Sequence, residues 1–193
     1  MIRNNKLILL SFIAFLCISF TTLNSPKDFL GVGKKINFDK KEYSLVWSSN
    51  PSDNYYKQEY LPEGATLKEY NDMIIIESII GDLTVEDAAK FKISELELLK
   101  KTNPVVNYNI YDNGNEKIID FVISDGAYIF EWNLYRYKNE KSKNKALVLY
   151  AYTYRDSIVD NEVLKPFFGR IADNRNDIIK QLGELKLPKV KIK

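Results

Sequence analysis

From residue 105 to residue 155 the apolar side chains recur with a period of two, interrupted only by short polar segments. That pattern confines much of the chain to one kind of sheet. Residues 105–111 run into Asp112-Asn113-Gly114, where Asn-Gly offers the positive φ angles of a type I′ hairpin and predicts a two-residue turn at Asn113-Gly114. Residues 117–123 return, Ser124-Asp125-Gly126 turns again into 128–137, and a polar loop over 138–145 leads to a last strand at 146–155. Four consecutive strands with short connections make an antiparallel meander.

Upstream, Tyr43 to Trp47 alternates large apolar residues, stops at Asn50-Pro51-Ser52-Asp53, and is followed by an aromatic stretch at 55–60, a strand-turn-strand unit. One or two helical turns are expected over 65–71. The β-branched run 73–80 reads as a buried strand, with a helix as the alternative. Thr84-x-x-Asp87 approximates a capping box. Val85, Ala88, Ala89, Ile93, Leu96 and Leu99 then recur at helical spacing up to Lys100-Lys101. A second helix carries Phe167, Ile171, Ile178, Leu182 and Leu185 on one face, with Pro166 suited to the first turn and Gly183 marking the end. The expected architecture is α+β: an antiparallel sheet of about six or seven strands flanked by two main helices.

Before this domain come Arg3 and Lys6, an uncharged apolar run from Leu7 to Phe20, and then small polar residues, the order of a secretory signal peptide over 1–24. The run is shorter than the roughly 20 residues that span a bilayer as a helix, so no transmembrane span is expected in the mature chain. Residues 25–37, with Pro26, Gly31, Gly33 and Lys34-Lys35, read as a linker or loose arm, and 38–193 as a single domain. Removal of Arg3 and Lys6 leaves 26 basic against 26 acidic residues. A neutral exported domain lacks the basic footprint of nucleic-acid binding. Cys17 is the one cysteine, and bulky Leu16 before it disfavours a lipoprotein site. With no histidine and no thiol in the mature chain, His-based triads and Cys/His metal centres are excluded, and no cofactor or metal is expected. Gly31-Val32-Gly33-Lys34 lacks the spacing of a phosphate loop. The basic alternating tail 186–193 reads as a solvated terminus, with an anionic-surface contact as the alternative.

Glu59-Tyr60-Leu61-Pro62-x-Gly64, followed by Leu67, Tyr70 and Met73, resembles a stretch found in small uncharacterised secreted bacterial proteins, which carry Trp at the place of Tyr70. The element order resembles the PsbP-like α/β/α sandwich of extrinsic binding subunits. The resemblance implies a fold and an expectation of binding rather than catalysis, since a fold alone does not establish a function.

Strand alternation puts Glu131, Asn133, Tyr135 and Tyr137 on one face and Phe130, Trp132, Leu134 and Arg136 on the other, with Trp132 expected under a helix. Glu131, Asn133 and Tyr135 are binding candidates. With Asp120 from the neighbouring strand, Glu131 could also make a glycosidase-like pair of carboxylates, against the alternative that both acids pair with Arg136, Arg155 or a lysine. Tyr150, Tyr152 and Tyr154 form a stripe that could bind carbohydrate, peptide or protein, or pack beneath a helix. Arg170 and Arg175, near Asp173 and Asp177, read as local ion pairs on the last helix. The sequence is thus read as an exported periplasmic or secreted binding or accessory protein, monomeric or weakly associating, with an envelope protein, peptide or glycan as partner. A carboxylate-dependent hydrolase using Asp120 and Glu131, or a membrane-tethered lipoprotein, is the alternative.

Overall fold

The computed structural model describes residues 25–141, 145–157 and 161–186; the signal segment, Cys17 and the basic tail from 187 lie outside them. The elements are β1 (Lys35–Phe38), β2 (Lys41–Ser52), β3 (Tyr55–Pro62), β4 (Asp72–Ile80), α1 (Val85–Lys100), β5 (Asn107–Asn113), β6 (Glu116–Ser124), β7 (Ile129–Lys141), β8 (Lys145–Ser157) and α2 (Asn161–Glu184). Among the described residues eight strands form one antiparallel sheet in the order β1-β2-β3-β4-β8-β7-β6-β5. The sheet consists of two four-stranded meanders joined where β4 pairs with β8, from Asp72↔Tyr154 to Ile80↔Ala146. Among the described residues no helix is long and apolar enough to cross a membrane.

The two helices occupy opposite faces. On one, Val85, Ala88, Ala89 and Leu96 of α1 pack with Ile119, Phe121, Tyr137 and Leu149; on the other, Phe167, Ile171, Ile178 and Leu182 of α2 pack with Trp132, Leu134 and a row of tyrosines. Ala88 and Ala89, both buried, let α1 come close to the strands. The capping box at Thr84 forms as expected, its hydroxyl accepting from the Asp87 amide while the Asp87 carboxylate accepts from the Thr84 amide. Lys92 joins the buried side of α1 by laying its ammonium over the Phe121 and Tyr135 rings, while Leu99 turns outward.

Four expectations are corrected. The sheet has eight strands because the supposed loose arm is packed. Leu30 is fully buried with its amide donating to Gln58, the Asp28 carboxylate accepts from the Val32 and Gly33 amides, and β1 pairs with β2. Residues 65–71 form a loop, closed by reciprocal Thr66–Glu69 backbone bonds, rather than a helix. The β5–β6 turn is Gly114-Asn115, since Asn113 still pairs with Glu116. Only Gly114 has a positive φ (64°), the pattern of type II′ rather than I′. Finally, α2 begins at Asn161, which puts Pro166 in its second turn.

Candidate functional site

The loop between β3 and β4 shapes one end of the sheet. Gly64 takes a positive φ of 81° and lets the Ala65 amide reach the Pro62 carbonyl. The loop is then tied to β8 by Arg155 N–H to the Asn71 carbonyl (2.7 Å) and Asn71 Nδ2 to the Arg155 carbonyl (3.0 Å). Between them lies a cleft of about 490 Å³ lined by residues 62–65, 68–72 and 155–157. Its charged lining is two bases, Lys68 and Arg155, against four acids, Glu63, Glu69, Asp72 and Asp156.

Arg155 stands at the centre of this site. Its guanidinium lies 4.9 Å from the centre of the Tyr70 ring, and its Nε is 3.9 Å from Glu131 Oε1, an ion pair beyond hydrogen-bond length. Burial pushes the Glu131 carboxyl above the ordinary glutamate range; Arg155 and Asn133 pull it back only in part. Burial also raises the Tyr70 phenol, with Glu131 adding to it. Beneath, Thr153 donates to Asn133 Oδ1 at 2.7 Å.

A second polar group lies on β3 and β4. Lys57 is 2.9 Å from Glu59 and 3.7 Å from Glu77. Burial raises the Glu77 carboxyl, with Lys57 and a hydrogen bond from Tyr55 opposing. Burial works against the Lys57 charge, but Glu59 and Glu77 outweigh it and hold the ammonium's pKa above its ordinary value. Glu77 is the lone charge in the apolar run of β4, a signal that sequence reasoning passed over. Lys57 and Arg155 became visible as partners only with the register.

Asp120 is elsewhere. It pairs with Leu134 across β6 and β7, so it faces α2, whereas Glu131 pairs with Ile123 and Arg155 and faces the α1 side. The sheet stands between the two carboxylates, and a mechanism that needs both on one glycosidic bond has no place to occur. Asp120 instead accepts from Arg175 (2.6 Å) and Tyr111 (2.9 Å). Arg170 likewise reaches the sheet, 3.1 Å from Asp72, which also receives Tyr152 (2.6 Å) and Lys41 (2.5 Å). The two arginines therefore fasten α2 to the strands rather than pairing along the helix. Tyr150, Tyr152 and Tyr154 lie buried beneath α2, Tyr154 stacked on Phe167 at 5.3 Å, while Tyr135 faces α1, edge-on to Phe121. Trp132 is buried under α2 as expected. Of the predicted site, the structure sets Glu131, Asn133 and Tyr135 on one sheet face, with Glu131 next to Arg155 of the cleft wall, and separates Asp120 and the tyrosine stripe from them.

A second cleft of about 410 Å³ opens between α2 and the β5–β6 edge, over Trp132, Val122 and Phe168. Among the described residues no group of three or more Cys, Asp or Glu side chains is placed to hold a metal ion.

No curated protein and no solved structure matches this chain. Its residues 30–187 match the model of a family of uncharacterised proteins, and the chain belongs to that family.

Proposed function

We propose that this is an exported accessory protein of the cell envelope that binds an uncharged or basic polar ligand, a glycan or a peptide segment, in the cleft at the β3–β4 loop. The observation that carries the reading is the Tyr70–Arg155 pair on the cleft wall, with Glu131 3.9 Å from Arg155. A ring and a guanidinium there offer stacking and donors, while Glu63, Glu69 and Asp156 add acceptors to the rim and disfavour anions. The signal-like segment supports export to the periplasm or outside. A helix on each face of an antiparallel sheet supports the PsbP-like resemblance, and with it a binding role.

The test is native mass spectrometry of the protein recovered from its own envelope after mild cross-linking. A reproducible added mass and an N-terminus beginning after the apolar segment are expected. A bare protein would speak against bound ligand, retention of residues 1–24 against cleavage of a signal peptide, and a lipid mass on Cys17 for the tethered form.

A further inference from the structure

Edge strands are where a sheet can grow, and the two edges here are built differently. β1 is four residues long and begins with Lys35, two of the usual protections against edge pairing. β5 is seven residues, Asn107–Asn113, in unbroken register with β6, and contains no lysine, proline or bulge. Among the described residues it pairs with β6 alone. Ile110, at its midpoint, is 43% exposed.

We propose that β5 is the interface for a second copy of this chain, paired antiparallel to its own β5 about a two-fold axis at Ile110. The sequence Asn-Tyr-Asn-Ile-Tyr-Asp-Asn is self-complementary in that register. Ile110 meets Ile110, Asn109 meets Tyr111, and Asn107 meets Asn113. Tyr108 meets Asp112, the only charge in the strand, so no like charges oppose. Tyr108 and Ile110 share a face, because they pair with Phe121 and Ile119 of the α1-side core. On that face Lys100 sits over the Tyr108 ring, 5.9 Å from its centre, the Tyr108 hydroxyl donates to Glu97 at 2.7 Å, and Asp112 is held by Lys117 at 2.6 Å. The register therefore sets the Lys100 and Glu97 charges of each copy against the Asp112 and Lys117 charges of the other, opposite signs available on both sides, twice by symmetry. A two-fold contact must be complementary to itself, and this strand meets that condition at every position. The product is one sixteen-stranded sheet with both α1 helices on the same face and both ligand clefts left free.

Sedimentation of the exported protein, which without residues 1–24 has no cysteine, tests this. Concentration-dependent dimers are expected. Ile110→Lys, which sets two ammonium groups against each other, weakens them at least tenfold. Asp112→Lys, made together with Lys117→Asp so that the pair within the hairpin is kept, does the same, and Lys100→Glu added to these restores association. In the cysteine-free exported protein Ile110→Cys forms a disulfide-linked dimer on mild oxidation, whereas Tyr108→Cys, which faces Asp112 rather than itself, does not. A monomer at every concentration overturns the proposal, as does a dimer indifferent to Ile110→Lys, or equal cross-linking at positions 108 and 110.

Discussion

Arg175 of α2 closes on Asp120 of β6 with two hydrogen bonds, Nη2 to Oδ2 at 2.6 Å and Nε to Oδ1 at 3.2 Å. Asp120 is 3% exposed, so its charge depends on that fork, on the Trp132 indole N–H at 3.5 Å and on the hydroxyl of Tyr111, itself bonded to the same guanidinium at 2.8 Å. Arg175→Ala leaves the carboxylate buried with less than it needs and should destabilise the fold by about 2–3 kcal/mol in urea titration, the lower end because Tyr111 remains. Adding Asp120→Asn should recover most of the loss. A cost under about 0.5 kcal/mol would place this pair among ordinary surface ion pairs.

Glu77 predicts a pH dependence with a definite sign. Burial raises its folded carboxyl above the ordinary value of 4.5, so the folded chain keeps a proton that the unfolded chain has already lost. Stability from this group is greatest on the acid side of that window and falls as pH rises through the raised value. Glu77→Gln keeps an acceptor for Tyr55 and leaves Lys57 its closer partner Glu59. The variant's melting temperature should exceed the wild type's at pH 7, and the difference should shrink toward pH 4. A difference that is constant with pH, or that grows on acidification, contradicts the assignment.

The β1–β2 turn is strained in a way that a single substitution relieves. Asp39 and Lys40 both adopt positive φ, 44° and 61°, in a two-residue connection between the paired Phe38 and Lys41. Two left-handed residues in succession are the requirement of a type I′ turn, which glycine meets without steric cost at its second position. Lys40→Gly should raise stability by about 0.5–1 kcal/mol, since the relief of left-handed strain exceeds the added freedom of glycine in the unfolded chain. Lys40→Val should lower stability.

What the sequence made legible were elements whose cause is local. The Thr84 capping box, the period-two runs of β5–β8 and the apolar face of α2 each carry their own signal within a few residues. The arm at 25–34 does not: it is held by Gln58 and Tyr60 from β3, and Tyr60 reaches back to the Gly33 carbonyl at 3.0 Å, distant partners that no window of sequence displays. The helix expected over 65–71 gave way to a closed turn for the same reason, its ends being fixed by Asn71 and Arg155 across the sheet. In the candidate site the face of Glu131 followed from strand alternation, but the face of Asp120 depended on the β6–β7 connection. There Asp125 accepts from the amides of Ala127, Tyr128 and Ile129 and sets a four-residue loop between Ser124 and Ile129. One residue more or less would reverse the parity of β6 and put Asp120 on the same face as Glu131.

The most direct test of the account is a calorimetric titration of the protein with a panel of envelope glycans and peptides, run beside Tyr70→Ala and Arg155→Gln. The cleft reading predicts a saturable ligand among the neutral or basic members, with affinity at least tenfold weaker in each variant and unchanged in Lys40→Gly. A ligand bound equally by the wild type and both cleft variants, or a preference for anionic members, would contradict it.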